Sequence, residues 1–423
     1  MTSWIEADQV AERLQPGMTV FVAGTGAEPR AILDALSRHG DRCAGVHFVS
    51  VSIPGINAVD FSTYHADTRS TAFFATPENR DSIASGRIDF VPLQYRAIYA
   101  YLTHDLPVDV VLLQLPALEN TDVMSLGVWA DFVPAVLDKA GLVIGEINPR
   151  QPAPADTPTW PLARLDLAVA CDLPVPVFPT AQIDTAAHDI AHHVAALIQD
   201  GDCIQIGIGT IPNAVLGALT QKNDLGIQSG MITDGVMALT ESGNITGRYK
   251  HVDTGKIVTG TTLGSEALIA WAGIRPELRF RPVSHTHDVS VIRQIDNFVS
   301  INSALEVDLF GQVNADMLAG RQVGGTGGSI DMMRGAALSR GGRSIIALPA
   351  TTTNGEQSRI VTALPAHTAA TALRTDIDYV VTEYGARRIR HLSSTARAKA
   401  LIEIAAPKFR AQLEAGPTQA IDT

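Results

Sequence analysis

The sequence predicts an α/β protein built from two similar domains with mostly parallel sheets. One short pattern occurs twice, at residues 24–36 and again at 207–219, with seven identities in 13 aligned positions. Each copy follows an apolar run and precedes apolar residues at helical spacing, which is typical of a strand, a glycine turn and a helix. Strand-like and helical segments alternate on both sides of each copy, as they do in parallel sheets.

The two glycine turns are candidate ligand sites. The first contains Gly24 and Gly26, and the second contains Gly207 and Gly209. Glycine lets a backbone approach a ligand closely, and the start of the following helix offers unpaired N–H groups to an anion. Ligands of open parallel sheets bind beyond the carboxyl ends of the strands, where both turns lie. The repeat therefore predicts one composite site at the interface between two domains.

Proline content predicts where the domains separate. Eight of the 23 prolines lie between positions 149 and 179. So many fixed φ angles exclude a regular helix and indicate a connector on the surface. We therefore predict an N-terminal domain at residues 1–150, a proline-rich connector at 151–184 and a C-terminal domain at 185–423. A helix is expected to open each domain, with Val10 and Leu14 on one face in the first and Ile190 and Val194 in the second.

Composition limits the class of protein. The chain has 423 residues, of which 46% are hydrophobic and 18% charged, as expected for a globular protein of two or three domains. A formal net charge of −12 argues against nucleic acid or an anionic membrane as the main partner. Neither a signal-like N-terminus nor an apolar run of membrane-spanning length is present in the sequence, so a cytoplasmic location is expected. Cys43, Cys171 and Cys203 are too far apart to indicate a disulfide framework or a zinc site.

A third glycine-rich stretch covers residues 323–331. Consecutive glycines allow several N–H groups to converge on a phosphate or a carbonyl oxygen. An isolated run of this kind is also typical of a tight turn or a β-bulge. The two other glycine turns favour a binding surface.

Three motifs in order carry a family resemblance. Residues 207–212, 301–315 and 324–331 resemble the acetyl-CoA hydrolase/CoA-transferase family, the group that includes 4-hydroxybutyrate CoA-transferases, and residues 378–385 extend the resemblance over nearly the whole chain. It implies two CoA-transferase-like domains with the active site at their interface, coenzyme A bound as a substrate thioester, no metal, and a homo-oligomer such as a homodimer. The CoA-binding residues that it implies are Gly207, Gly209, Gly325, Thr326, Gly327 and Gly328.

The resemblance also points to a missing nucleophile. Transferases of the family use a glutamate that carries CoA as an enzyme-bound thioester. In this chain the matching stretch is 226–235, and Gly230 occupies the glutamate position. A covalent glutamyl-CoA intermediate cannot form there, and the space beside Gly230 is expected to admit a small acceptor.

The family resemblance and the glycine at position 230 are together compatible with several functions. The first is an acyl-CoA-processing enzyme that performs CoA transfer, thioester hydrolysis or acyl transfer, with a carboxylate, water or another small nucleophile as acceptor. The alternative is a catalytically altered CoA-binding or regulatory protein. A sugar-phosphate isomerase-like or nucleotide-binding protein could use similar glycine turns, but residues 302–331 argue against it.

Four carboxylates are candidates to compensate for the glutamate: Glu306 and Asp308, which share one face of a strand-like run, Glu28 and Asp234. Glu306 lies in a strand-like run inside the family motif, where it is either a catalytic group or a hydrogen-bonding residue. Glu28 lies in the first glycine turn and is equally typical of a charge at a helix start. Asp234 is expected to cap or position a turn.

A histidine pair and three arginines each have a structural and a functional interpretation. His285 and His287 suggest a metal or base cluster, but no further ligand completes a set, so we predict a structural role. Arg275, Arg279 and Arg281 either contact CoA phosphates or lie on a solvated surface.

Overall fold

The computed structural model describes residues 2–118, 122–179 and 182–416, which form two compact units. The first unit contains the described residues up to Pro179 together with Val258–Thr286 and Val323–Gly327. The second unit contains the described residues of 182–257, His287–Gln322, and the described residues from Gly328 onward.

The described residues up to Pro179 form strands, three α-helices and several short 3₁₀ helices. These elements are β1 Ser3–Trp4, β2 Thr19–Val22, α1 Arg30–Arg38, β3 His47–Ser50, β4 Arg69–Ala72, α2 Arg80–Ala84, β5 Asp89–Phe90, α3 Tyr95–His104, β6 Val110–Leu115, β7 Val123–Ser125, β8 Leu142–Ile147, β9 Thr159–Pro161 and β10 Leu167–Ala170, with 3₁₀ helices at Ala7–Arg13, Thr25–Ala27, Gly40–Cys43, Phe61–Thr63, Val133–Ala135 and Leu162–Arg164.

The first unit is built on an eight-stranded sheet. Its strand order is β1-β10-β8-β6-β2-β3-β4-β5, and every neighbouring pair is parallel. All six residues of the central strand β6 are buried, which agrees with its sequence of five apolar residues and Gln114. Leu33 and Leu36 of α1 pack with Val22 and Phe48 in the core of this unit.

The rest of the described chain begins with a helix and continues through alternating elements. These are α4 Thr185–Ala195, β11 Cys203–Ile206, α5 Thr210–Ala218, β12 Gly226–Ile227, β13 Met231–Ile232, α6 Asp234–Glu241, β14 Ile257–Thr259, β15 Thr261–Thr262, α7 Glu266–Ile274, β16 Leu278–Phe280, α8 Val283–Thr286, α9 Val289–Ile292, β17 Phe298–Ser303, β18 Glu306–Asp308, β19 Val313–Asn314, β20 Met317–Leu318, β21 Arg321–Gln322, α10 Ser329–Leu338, β22 Arg343–Ala347, β23 Ile360–Val361, β24 Tyr379–Thr382, β25 Gly385–Arg388, α11 Ser394–Glu403 and α12 Pro407–Glu414.

The second unit is built on a six-stranded sheet. Its order is β12-β11-β17-β22-β24-β25, and its pairs are parallel except β24 with β25. A small sheet of order β19-β18-β23 lies in the same unit. The predicted α/β class with mostly parallel sheets is confirmed.

The two glycine turns occupy the same place in their sheets. In each unit the turn leads from an inner strand, β2 or β11, into a helix, α1 or α5, and the next strand of the chain that joins the sheet, β3 or β12, pairs beside the first. On the other side the order is β6-β8-β10 in the first unit and β17-β22-β24 in the second. The internal repeat therefore extends from the short motif to the order of strands.

The observed units differ from the predicted boundaries. The stretch predicted as a surface connector contains β10, which pairs with β1 on one side and β8 on the other. The prolines exclude a regular α-helix from this stretch. The four residues Leu167–Ala170 contain no proline, so they can form a strand that pairs on both edges. The chain also returns to the first unit at Val258–Thr286 and Val323–Gly327, which the sequence assigned to the C-terminal domain.

The predicted opening helices form with one change. The second domain begins with α4, in which Ile190 and Val194 are buried as expected. In the first domain, the first helix is a 3₁₀ helix at Ala7–Arg13, which follows β1, and not an α-helix. Within the described ranges, no helix is both long and apolar enough to cross a lipid bilayer.

Candidate functional site

The first glycine turn serves internal packing. A Cβ atom on Gly24 would overlap the backbone oxygen of Val51, and one on Gly26 would overlap the indole of Trp129. Both glycines therefore allow parts of the same unit to approach closely. The Asn57 side chain closes the turn, since its Oδ1 accepts from the N–H of Thr25 at 3.0 Å and its Nδ2 donates to the Thr25 carbonyl at 3.0 Å.

A carboxyl group of the protein itself lies at the first helix start. Glu146, at the end of β8, is fully buried. Its Oε2 accepts from the N–H of Ile32, in the first turn of α1, at 3.0 Å, and its Oε1 accepts from Gln114 Nε2 at 3.1 Å. A carboxylate at this place satisfies the helix terminus that the sequence analysis offered to a ligand. This carboxyl group, whose pKa is raised by burial, occupies the place at the first turn that was expected to receive a ligand anion.

The second glycine turn is open. A Cβ atom on Gly207 or Gly209 would meet no other atom of the described chain within 4 Å. Gly209 has φ +114° and is the N-cap of α5, a conformation that favours glycine. Counting along the paired strands from the repeat, the position that corresponds to Glu146 is Ile346, which is apolar and buried. The strand that provides the internal carboxylate in the first unit therefore provides none in the second.

Gly230 lies next to this open turn. It sits in the short connection between β12 and β13, and the hydroxyl of the preceding Ser229 donates to the carbonyl of Ile206, directly before Gly207, at 3.2 Å. The second turn and Gly230 are thus neighbours within one unit.

The space beside Gly230 is filled by a histidine. A Cβ atom on Gly230 would lie 2.5 Å from Cε1 and 2.9 Å from Nε2 of His287. A Cβ atom on Gly328 would overlap the same ring at Nε2 and Cδ2. The imidazole therefore packs against both glycines, and the expectation of empty space beside Gly230 is corrected. His287 is 4% exposed, and burial lowers its pKa to about 3, so the ring is neutral at pH 7.

Two buried residues close to Gly230 in sequence carry polar atoms that have no partner in the described part of the chain. Gln228 is fully buried, and its Oε1 accepts from Nζ of Lys250 at 3.3 Å, which fixes the orientation of the amide. Its Nε2 has no hydrogen-bond partner among the described residues, and neither has the Oγ1 of the buried Thr233. Buried polar groups are rarely left unpaired, so both atoms suit a bound ligand or water.

Lys250 was missed by the sequence analysis. It is 3% exposed, and its ammonium donates to the carbonyls of Ile227 at 2.7 Å and Lys256 at 3.0 Å. These contacts hold the strand that leads to Gly230. The sequence carries no signal for them, because Lys250 lies in a segment without periodicity.

The third glycine stretch is divided between the units. Gly324 and Gly327 belong to the first, where their carbonyls accept from the N–H of Ala75 at 2.9 Å and of Tyr95 at 3.0 Å. Gly325 packs so closely on the Phe73 carbonyl that a Cβ atom would overlap it. Gly328 belongs to the second unit, as the N-cap of α10.

The alternative carboxylates are held by other contacts. Glu306 is half-buried in β18, and its Oε2 accepts from Asn314 Nδ2 at 2.9 Å. Glu28 is buried, and burial raises its pKa to about 7 although a hydrogen bond from Asn57 opposes the shift. Asp234 is the first residue of α6, as expected of a group at a helix start.

The arginine and histidine candidates are also placed. Arg279 and Arg281 both pair with Asp156 at 2.8 Å, and Arg275 pairs with Glu277 at 2.6 Å. These ion pairs lie within the first unit and favour a structural role. Among the described residues, no group of three or more His, Cys, Asp or Glu side chains could hold a metal ion. Burial raises the pKa of the Cys203 thiol to about 12, as suits a core residue.

Mostly parallel sheets and a repeated strand, glycine turn and helix define the chain as an α/β protein. Comparison with known proteins identifies its family. Residues 2–177 match the acetyl-CoA hydrolase/transferase N-terminal domain and residues 264–416 match the C-terminal domain. The chain belongs to the acetyl-CoA hydrolase/transferase family, so the predicted family and enzyme class are confirmed.

Named relatives agree with this assignment. The chain is 35% identical to 4-hydroxybutyrate coenzyme A transferase of Clostridium kluyveri, over 97% of the chain and 96% of the relative. The crystal structure of 4-hydroxybutyrate CoA-transferase from Porphyromonas gingivalis has a TM-score of 0.81 at 30% identity and covers 97% of this chain and 96% of its own. RipA from Yersinia pestis has a TM-score of 0.91 at 28% identity, with coverage of 99% and 97%.

Proposed function

We propose that this chain acts on acyl thioesters of coenzyme A without a glutamyl-CoA intermediate at position 230. Relatives named as CoA-transferases support an acyl-CoA substrate, and a relative from Neurospora crassa named acetyl-CoA hydrolase, 26% identical over 56% of the chain, supports water as one acceptor. The observation that carries the proposal is the contact between the imidazole of His287 and Gly230. The ring occupies the space that the side chain of a carboxylate nucleophile at position 230 would require. No covalent carboxyl intermediate can form at a residue without a side chain.

The open second turn suits the anionic part of the substrate. Gly207 and Gly209 leave room for close approach, and the first N–H groups of α5 favour a phosphate or another anion. The substrate supplies a thioester carbonyl and a thiol leaving group. Gln228 Nε2 and Thr233 Oγ1 are polar atoms that a bound acyl-CoA would satisfy. Within the third glycine stretch, we retain Gly325, Thr326, Gly327 and Gly328 as proposed CoA contacts.

A panel of acyl-CoA thioesters, incubated with the protein with and without acetate, tests this function. We expect release of free thiol or acyl transfer, and no modified glutamate after borohydride reduction and mass spectrometry. The matched variants are Glu306→Gln, which removes the candidate carboxylate inside the family motif, and Glu12→Gln, which changes an exposed glutamate outside the site. A CoA adduct on Glu306 would overturn the proposal and restore a covalent transferase mechanism.

A CoA-binding protein without turnover is the second candidate function. The same imidazole favours it, because the ring fills the position from which catalysis in the family is expected to start. Measurable CoA affinity together with no reaction on any thioester of the panel would select this candidate.

A further inference from the structure

His287 is placed at the vacated nucleophile position by a change of unit in the chain. It follows α8 directly and is the first residue of the segment His287–Gln322, which belongs to the second unit. Its ring lies against Gly230 and Gly328, which are remote from each other in sequence. Any side chain at either position would displace the ring.

Nε2 is the ring nitrogen that lies nearer to both glycines. It is 2.9 Å from the Cβ position of Gly230 and overlaps the Cβ position of Gly328. Gly328 is the residue at which the proposed CoA-binding stretch enters α10. A nitrogen at this place is suited to exchange a proton with a group that attacks a thioester.

We propose that His287 is the general base of this protein and that its acceptor carries a removable proton, as water, an alcohol or an amine does. This inference rests on the proposed function. A carboxylate acceptor is already ionised at neutral pH and needs no base, whereas water or an alcohol becomes a competent nucleophile only as it loses a proton.

With water as the acceptor, the reaction proceeds by addition to the thioester and then by loss of the thiol. The water oxygen bonds to the thioester carbon while its proton moves to Nε2, and the carbonyl electron pair moves to the oxygen. When this pair returns, the carbon–sulfur bond breaks and the imidazolium gives its proton to the departing sulfur. The products are a carboxylic acid and free CoA thiol, and the imidazole is neutral again.

The burial of the ring is compatible with this role. A neutral ring at pH 7 is the form that accepts a proton, and the pKa of about 3 belongs to the protein without substrate. Negative charge that develops on the thioester oxygen stabilises the protonated ring during attack. The base is therefore expected to act only in the substrate complex.

Chemical rescue tests the assignment. We expect His287→Ala to lower kcat for thiol release at least 100-fold, the range of general base catalysis, while the Kd for CoA changes less than threefold. Exogenous imidazole should raise the kcat of His287→Ala at least tenfold, whereas pyrazole, a ring of equal size and low basicity, should not raise it. His287→Asn keeps a polar group in the space and should also be inactive. His47→Ala, which removes a half-buried histidine of the first unit, is the matched control and should retain wild-type activity.

The outcomes separate the two proposals. A wild-type protein that does not bind CoA would contradict the proposed function. For a wild-type protein that binds CoA and turns over a thioester, any of three results would contradict the inference alone: turnover survives in His287→Ala or His287→Asn, pyrazole rescues as well as imidazole, or acetate is a better acceptor than water and simple alcohols or amines. A wild-type protein that binds CoA but reacts with no thioester would contradict both the inference and the proposed enzyme, and would select the CoA-binding protein without turnover.

Discussion

Gly230, Gly328 and His287 depend on one another through direct contact. The ring occupies the Cβ space of both glycines, so each glycine is required by the histidine, whatever its chemical role. Restoring a glutamate at position 230 alone would place its Cβ atom 2.5 Å from Cε1 of the ring. Such overlap forces side chains or backbone to shift and costs about 1–3 kcal/mol.

Gly230→Glu alone is therefore expected to lower the free energy of unfolding by about 1–3 kcal/mol and to gain little CoA-transferase activity. With His287→Ala added, the glutamate has room, and we expect most of the stability to return and a glutamyl-CoA adduct to form. Urea unfolding and mass spectrometry after acyl-CoA treatment measure the two effects. The single variant His287→Ala is the control, and equal stability of Gly230→Glu and wild type would contradict the packing argument.

The two glycine turns share a sequence and differ in what surrounds them. In the first, Glu146 meets the start of α1, and the glycines pack against Val51 and Trp129. In the second, the glycines open onto space and the corresponding strand position is Ile346. One copy of the strand–turn–helix element thus supports the fold, and the other is the proposed ligand site.

This difference predicts opposite effects for one substitution at two equivalent positions. Gly24→Ala should destabilise the protein by about 1–3 kcal/mol, because its Cβ atom overlaps the backbone oxygen of Val51. Gly207→Ala should leave the unfolding midpoint almost unchanged and weaken CoA binding at least fivefold, because its Cβ atom enters the proposed ligand space. Urea unfolding and calorimetric titration with CoA test the pair. Strong destabilisation by Gly207→Ala, or unchanged CoA affinity, would contradict the assignment of this turn.

The proline-rich stretch is part of the first unit over its strand β10. Ala168 is fully buried and Val169 is 2% exposed, and the strand is paired on both edges. Long-range strand pairing, and not the positions of the prolines, therefore determines how the chain divides into two units.

The predicted homo-oligomer stays a prediction.

Hydrogen exchange distinguishes a sheet strand from a surface connector. We expect amides of Leu167–Ala170 to exchange as slowly as those of β8, at least about 100-fold more slowly than amides of residues 172–177, where the chain forms neither strand nor helix. Mass spectrometry of overlapping peptic peptides provides the measurement. Equal rates in the two segments would show that β10 is not stably paired.

Much of this protein could be predicted from its sequence because the signals are local. The repeat, the periodicity of its strands and helices, the family and the glycine at position 230 are all contained in short stretches of residues. Such stretches determine backbone conformation, and the order of their motifs identifies the family.

Only the tertiary structure decided what fills the space around those backbones. The carboxylate at the start of α1 comes from a residue 114 positions away, and the imidazole beside Gly230 comes from position 287. From the sequence, His287 was predicted to be structural and Glu146 was not a candidate. Neither residue shares a local sequence pattern with the group that it contacts, which is Gly230 for His287 and the start of α1 for Glu146. Strand order and register bring these side chains together, and no short stretch of sequence contains that information.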